Sequence, residues 1–238
     1  MKRLMRITGQ LILGFIGLTL LIVLFFKWVP VPLTPLMVIR MVQQVSEEKP
    51  VALKYDWISI KKISPHLQLA VICSEDQNFV HHRGFDLKAI QEVLEETRSQ
   101  GGKPRGASTI SQQTAKNLFL WPGRSWIRKG LEAWFTAWIE LLWSKKRILQ
   151  VYLNIIEMGD GIYGAEAAAR HFFGVPAEKL TSRQAATLAA VLPNPRRYNA
   201  ASPGPYVSER IGWIQGQMQQ NGPLELKPPR KNKKQKKK

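Results

Sequence analysis

Seventeen residues, 70–86 (AVICSEDQNFVHHRGFD), hold two adjacent carboxylates (Glu75, Asp76), two histidines (His81, His82), an arginine, a glycine and a third carboxylate, Asp86. The apolar run Leu67–Cys73 leads straight into Glu75. A carboxylate closing an apolar segment is partly desolvated, which raises its pKa towards the range useful for proton transfer. A second group, Ser108, Thr109, Gln112, Gln113, Lys116 and Asn117, sets polar side chains just ahead of Leu118–Leu120. A third, Arg124, Arg128, Lys129 and Glu132, mixes cations with one carboxylate. Two glutamates among many cations suit a general base acting on a substrate with an anionic leaving group. Arg meets phosphate through paired hydrogen bonds and Lys as a point charge. The residues alone leave plainer readings open. Glu75 and Asp76 also fit a solvated loop pair, and Arg128–Glu132 a surface i,i+4 pair worth about 0.2–0.5 kcal/mol. His81, His82 and Asp86 are too few ligands for a metal centre, and a structural hydrogen bond suits His82 better.

These groups need elements to hold them. Ser64-Pro65 is a helix start, a capping residue followed by proline in the first turn. That helix places Leu67, Ala70 and Val71 on one face and Glu75 beside it. Leu87–Arg98 reads as a polar helix and residues 99–105 as a mobile basic loop. Thr109 and Gln112 have capping-box spacing, so a helix starts there with Gln112, Gln113 and Lys116 as near neighbours. A long helix is expected over Trp126–Asn154. Its aromatics Trp134, Phe135, Trp138 and Trp143 read as core, with a membrane headgroup contact as the alternative. Gly159–Gly164 is a glycine-rich break, followed by helices over Ala165–Phe173, Ser182–Leu192 and Val207–Gln220. No strand series stands out, so the chain reads as mostly α.

The N-terminus carries Lys2, Arg3 and Arg6 before an apolar stretch, Ile7–Phe26, about 20 residues long and sufficient to span a bilayer. No small-residue cleavage site follows, so an uncleaved anchor is expected, with the N-terminus in the cytoplasm and the remainder outside. The three prolines of Val29–Pro35 make an extended spacer. The expected organisation is a cytoplasmic basic N-terminus (1–6), a transmembrane signal anchor (7–28) with Trp28 at the interface, and a linker and membrane-proximal segment (29–50). The main domain (51–220) and a basic, disordered tail (221–238) follow. The net charge is +18 over 238 residues, and eight of the 35 basic side chains lie in Lys227–Lys238, leaving the rest at +10. Partners should therefore be anionic. The single cysteine, Cys73, excludes an intramolecular disulfide.

Four stretches resemble the peptidoglycan glycosyltransferases, the family shared with class A penicillin-binding proteins. EDQNFVHHRGFD (75–86) is similar to EDxxFxxHxGxD and GASTISQQTAKN (106–117) to GxSTxxQQxxKN. RKGLE (128–132) is similar to RKxxE and KKRILQVYLN (145–154) to KxxILxxYLN. Looser similarity runs to about residue 200. With no room for a transpeptidase domain, the chain is most similar to the monofunctional, biosynthetic members. The resemblance implies a mostly α, lysozyme-like fold with a small membrane-facing lobe. It implies polymerisation of lipid II by transfer of the growing, lipid-pyrophosphate-linked strand to the 4-hydroxyl of lipid II, giving inverted β-1,4 linkages and releasing undecaprenyl pyrophosphate. Glu75 corresponds to the general base and Glu132 to the second, donor-side glutamate. Lys116, Arg124 and Arg128 correspond to pyrophosphate-binding cations, while Ser108, Thr109, Gln112, Gln113 and Asn117 line the cleft. Asp76, His82 and Asp86 frame Glu75. No cofactor is required and no metal-ligand set is assigned; Mg or Mn beside the pyrophosphate is compatible with the family.

Expected partners are lipid II, the nascent glycan strand, the membrane and other cell-wall synthesis or division proteins, with no nucleic acid. The expected location is the inner membrane, with the catalytic domain periplasmic. Departures are Ala107 for Gly, Phe172 for Tyr, and Gln150 for Glu, the last weakening an ion pair expected there. Two rival classes remain. A lytic glycosidase needs no pyrophosphate-binding cations, and a tethered nucleic-acid binder is suggested only by charge.

Overall fold

The computed structural model describes residues 1–100, 108–123 and 125–226. Arg124, most of the expected loop at 99–105, and tail residues 227–238 lie outside them. The elements run α1 (Lys2–Phe26), α2 (Pro35–Ser46), β1 (Lys54–Tyr55), α3 (Pro65–Glu75), α4 (Leu87–Gln100) and α5 (Ile110–Phe119). Then come α6 (Trp126–Leu142), α7 (Lys145–Ile155), β2 (Glu157–Gly159), β3 (Ile162–Tyr163), α8 (Ala165–Phe173), α9 (Ser182–Val191) and α10 (Pro205–Asn221), with short 3-10 turns at Ile60–Lys62 and Ala177–Lys179. The chain is mostly α, as its periodicity predicts.

Local chemistry accounts for the helix starts. Ser64 caps α3 by accepting from His66 N, and its hydroxyl donates to Leu180 O at 2.9 Å. Thr109 and Gln112 form both halves of the expected capping box on α5. Helix α3 reaches Glu75 and buries Leu67, Ala70, Val71, Ile72 and Cys73 against α9 and α10. Helix α9 can lie that close because its buried face is largely alanine. Helix α5 packs on α6 and α7. Thus α3 and α5, which carry the first two chemical groups, sit in different helix clusters and are joined by the Ile110 N–Asp76 and Gln113–Glu75 hydrogen bonds.

Two expectations change. The helix expected over Trp126–Asn154 is two helices. Ser144 accepts from Arg147 N and starts α7, while the Trp143 indole turns aside to donate to Val23 O at 2.9 Å. A three-stranded sheet, ordered β1-β3-β2, also exists where none was expected. β1 is parallel to β3 (Lys54 beside Ile162), and β2 is antiparallel to β3 with a bulge between Glu157 and Gly159. The glycine-rich break is the hairpin turn. At Gly161 (φ +70°) a Cβ would lie 2.3 Å from Ala52 O, and at Gly164 (φ +81°) 2.3 Å from Asn154 O.

At about 1.5 Å per residue, α1 is long enough to cross a bilayer, and its composition agrees. Its last turns dock on the folded body. Thr19 and Val23 are buried, Trp134 Nε1 donates to Thr19 Oγ1 at 3.2 Å, and Arg147 bonds Phe26 O at 2.8 Å. The aromatic stretch of α6–α7 therefore divides. Phe135 and Trp143 are buried, while Trp134 lies against α1. The proline-bearing segment 29–34 is non-helical, yet Val31 and, in α2, Met37 are fully buried. At Gln150, the Arg147 guanidinium donates from Nη1 to the neutral Oε1 at 3.0 Å, where a glutamate would make an ion pair.

Candidate active site

Glu75 is the last residue of α3, at the floor of a cavity of about 920 Å³ walled by α4, α5 and α10. Its Oε2 accepts from Gln113 Nε2 at 3.0 Å, and its Oε1 lies 3.5 Å from Arg210 Nη2. Desolvation raises its pKa above the ordinary carboxylate value, further raised by Asp76 and opposed by Gln113, Arg210 and Ser74. Desolvation wins because burial disfavours the charged form more than these partners favour it.

The frame around Glu75 is built from the rest of its motif. Asp76 caps the C-terminus of α3, and its buried carboxylate accepts from Ile110 N at 2.9 Å, tying α3 to the start of α5. His82 Nε2 lies 2.9 Å from Asp76 Oδ1, while Gly84 N donates to His82 Nδ1 at 3.1 Å. Accepting at Nδ1 leaves the proton on Nε2, which donates to Asp76. Gly84 (φ +89°) runs so close to α6 that a Cβ would meet Thr136 Cγ2 at 2.9 Å, and its carbonyl accepts from Thr109 Oγ1. Asp86 accepts from Asn78 and from the amides of Lys88 and Ala89, capping α4. Its burial raises the pKa, but these donors and His82 outweigh that and hold it low.

The second motif divides by role. Ser108 is exposed and Gln113 faces Glu75, both on the cavity wall. Thr109 and Gln112 spend their side chains on the capping box, and Asn117 is buried. The third motif places Glu132, 3% exposed, between Arg128 Nη1 at 3.1 Å and Lys129 Nζ. Lys116 joins the motifs. It keeps a side open to solvent, yet surrounding protein desolvates its ammonium and lowers its pKa, and the charges it senses are Glu132, Arg128, Lys129 and Glu75. Both Glu132 oxygens are taken by cations, and among the described residues no three His, Cys, Asp or Glu side chains are grouped to hold a metal. The described donor set does not suit a divalent ion.

Three site residues were not singled out from sequence. Tyr152, fully buried, donates its hydroxyl to Gln113 Oε1 at 3.1 Å, which fixes the amide so that Nε2 points at Glu75. Burial, then the charges of Glu75 and Asp76, push its pKa far up, so it stays a donor. Tyr152 lies in the fourth motif but carries no sequence sign of this contact. Arg210 reaches Glu75 from α10. Glu140 accepts from Ser111 and from Lys145 (2.7 Å), joining α5 to the start of α7. Tyr152→Phe frees the Gln113 amide to turn. Losing the Gln113 bond raises the Glu75 pKa, so the acid limb of kcat/KM should move to higher pH and converge with the parent at high pH; superimposable profiles would remove Tyr152 from this role.

A family model described as Transglycosylase matches residues 41–219. The chain is 54% identical over 222 residues to a biosynthetic peptidoglycan transglycosylase of Pseudomonas putida, covering 93% of this chain and 94% of that one. It is 54% identical over 221 residues to the protein of that description in Ectopseudomonas mendocina, with 93% and 89% covered. For the Pseudomonas aeruginosa protein the figures are 51% over 222 residues, with 93% and 95% covered.

Proposed function

Because the chain belongs to the transglycosylase family, we propose that it polymerises lipid II into glycan strands, with Glu75 as the general base. Glu75 takes the proton from the acceptor 4-hydroxyl, and the oxygen attacks C1 of the donor sugar. The bond from C1 to the pyrophosphate oxygen breaks with its electron pair, so an α-linked donor gives a β-1,4 product. The leaving pyrophosphate gathers charge where Lys116, Arg128 and Lys129 converge, which stabilises the departing group. Glu132, held by Arg128 and Lys129, keeps those cations in place and offsets their mutual repulsion. Asp76, His82 and Asp86 hold the loop that follows Glu75. Helix α1 anchors the enzyme, with Lys2, Arg3 and Arg6 on the cytoplasmic side and the catalytic body outside.

The observation that carries this reading is the pairing of a desolvated carboxylate, Glu75 in its cavity, with a separate cationic group, Arg128 and Lys129 about Glu132, to whose charges Lys116 is electrostatically coupled. A lytic glycosidase has no use for that cationic group. Incubation with lipid II tests the proposal. Long glycan product supports it, and cleavage of preformed strands without polymerisation overturns it. Lys116→Ala should lower donor kcat/KM by about 10–100-fold, the worth of a hydrogen bond to a charged group. Unchanged donor kinetics would place Lys116 outside the pyrophosphate site.

A further inference from the structure

The last four carbonyls of a helix have no partner inside it, and an unmet carbonyl away from water is costly. In α1 these belong to Val23, Leu24, Phe25 and Phe26. The amides of Lys27, Trp28 and Val29 take Leu24 O and Phe25 O. The other two carbonyls are met from the catalytic body. Trp143 Nε1 donates to Val23 O at 2.9 Å, and the Arg147 guanidinium donates to Phe26 O from both Nε (3.2 Å) and Nη2 (2.8 Å). The same Nη2 reaches Val29 O at 2.6 Å, just past the helix end.

The surroundings of Arg147 suit this role. Its remaining bond goes to the neutral Gln150, and its guanidinium carbon lies 5.2 Å from the Trp57 ring and 5.9 Å from the Trp143 ring. Its charge is therefore offset by carbonyls at the negative end of the α1 dipole and by two ring faces. Further along the anchor, Trp134 Nε1 donates to Thr19 Oγ1 at 3.2 Å, and the Trp134 ring lies 5.9 Å from that of Phe15. Phe15, Thr19, Val23 and Phe26 are spaced i, i+4, i+8 and i+11, one face of α1 over about 16 Å. The segment after α1 is pinned too: Val31 and Thr34 are buried, and the Tyr55 hydroxyl donates to Val31 O.

A loose tether needs none of these bonds. A tethered body tumbles over the membrane surface, whereas a seated anchor holds the cleft in one attitude, and orientation towards a bilayer-held substrate is a large part of catalysis. We infer that Arg147 is a positioning residue, which locks the catalytic body to the end of the anchor helix so that the cleft meets lipid-linked substrate at a fixed height and tilt. This rests on the proposed polymerase reading.

The test assays the full-length enzyme twice, once in phosphatidylethanolamine–phosphatidylglycerol vesicles that hold lipid II, and once in detergent with a short-chain, water-soluble lipid II analogue. Arg147→Ala should lower kcat/KM on vesicle-held lipid II by about tenfold, the result of cutting the docked population to about a tenth. Turnover of the soluble analogue, which reaches the cleft from any direction, should stay within about twofold. Arg147→Lys keeps the charge but loses the fork that meets two carbonyls, and should recover part of the loss. Thr19→Val, which removes the anchor's own acceptor for Trp134, should act in the same direction and less. Tryptic cleavage after Lys27 should be faster in Arg147→Ala than in wild type, a readout of undocking that needs no turnover. An unchanged vesicle rate, an equal fall with both substrates, or unchanged cleavage overturns the role of Arg147 while leaving the polymerase reading intact. Wild-type enzyme that polymerises neither substrate overturns the polymerase reading itself, and the role of Arg147 with it.

Discussion

Glu75→Gln is expected to lower the rate of glycan polymerisation by about a thousandfold, within the range that a positioned general base supplies. Gln keeps the shape of the side chain and can still meet Gln113 and Arg210, so the fold should survive. The variant should in fact be more stable than the parent at neutral pH. Glu75 has a folded pKa raised above its unfolded value. The native state therefore binds the proton more tightly, and this contribution is fully present below the unfolded pKa. It is lost as pH rises through the folded pKa, after which a desolvated anion is a cost. Removing that anion should raise Tm at pH 7 by about 2–4 °C for each kcal/mol gained, with no gain at pH 4. Thermal unfolding at the two pH values beside the polymerisation assay checks both halves. Substantial residual polymerisation, or a loss of Tm at pH 7, would remove Glu75 from the role of desolvated base.

Asp76→Ala should be the most destabilising change in the site. The Asp76 carboxylate is the shared acceptor for His82 Nε2 and Ile110 N, and it is buried. Alanine leaves both donors without a partner where α3, the His82 loop and α5 meet. Two orphaned buried donors cost about 3–5 kcal/mol together. Denaturant unfolding should show that loss as a lower midpoint, and activity should fall too because Glu75 is the adjacent residue. Asp76→Asn retains one carbonyl acceptor and should lose less. A midpoint within error of wild type would show that the carboxylate does not join these elements.

Much of this arrangement was legible in the sequence, for a physical reason. Helix starts are local events. Ser64-Pro65 and the Thr109–Gln112 box are satisfied within one turn, so the residue types alone predict them. The hairpin was missed although Asp160-Gly161, a strong two-residue turn signal, lies in the glycine-rich break. Strands of two or three residues show no alternation to read. The long helix expected through Trp143 misses a local stop: Ser144 caps a new helix by accepting from Arg147 N, and the Trp143 indole at the break bonds Val23 O of α1.

The sequence by itself determined which groups could do chemistry: the first carboxylate of the 75–86 motif, the cations flanking Glu132, and an apolar N-terminal helix. Only the tertiary structure decided which of them meet. It set Lys116 where it feels the charge of both glutamates, turned Gln113 towards Glu75 by a hydroxyl 39 residues away, and brought Arg210 from the last helix to the same carboxylate. Those meetings depend on α3 packing on α9 and α10 while α5 packs on α6 and α7. Packing is a property of complementary surfaces distributed along the whole chain, so no local pattern around Glu75 can carry it.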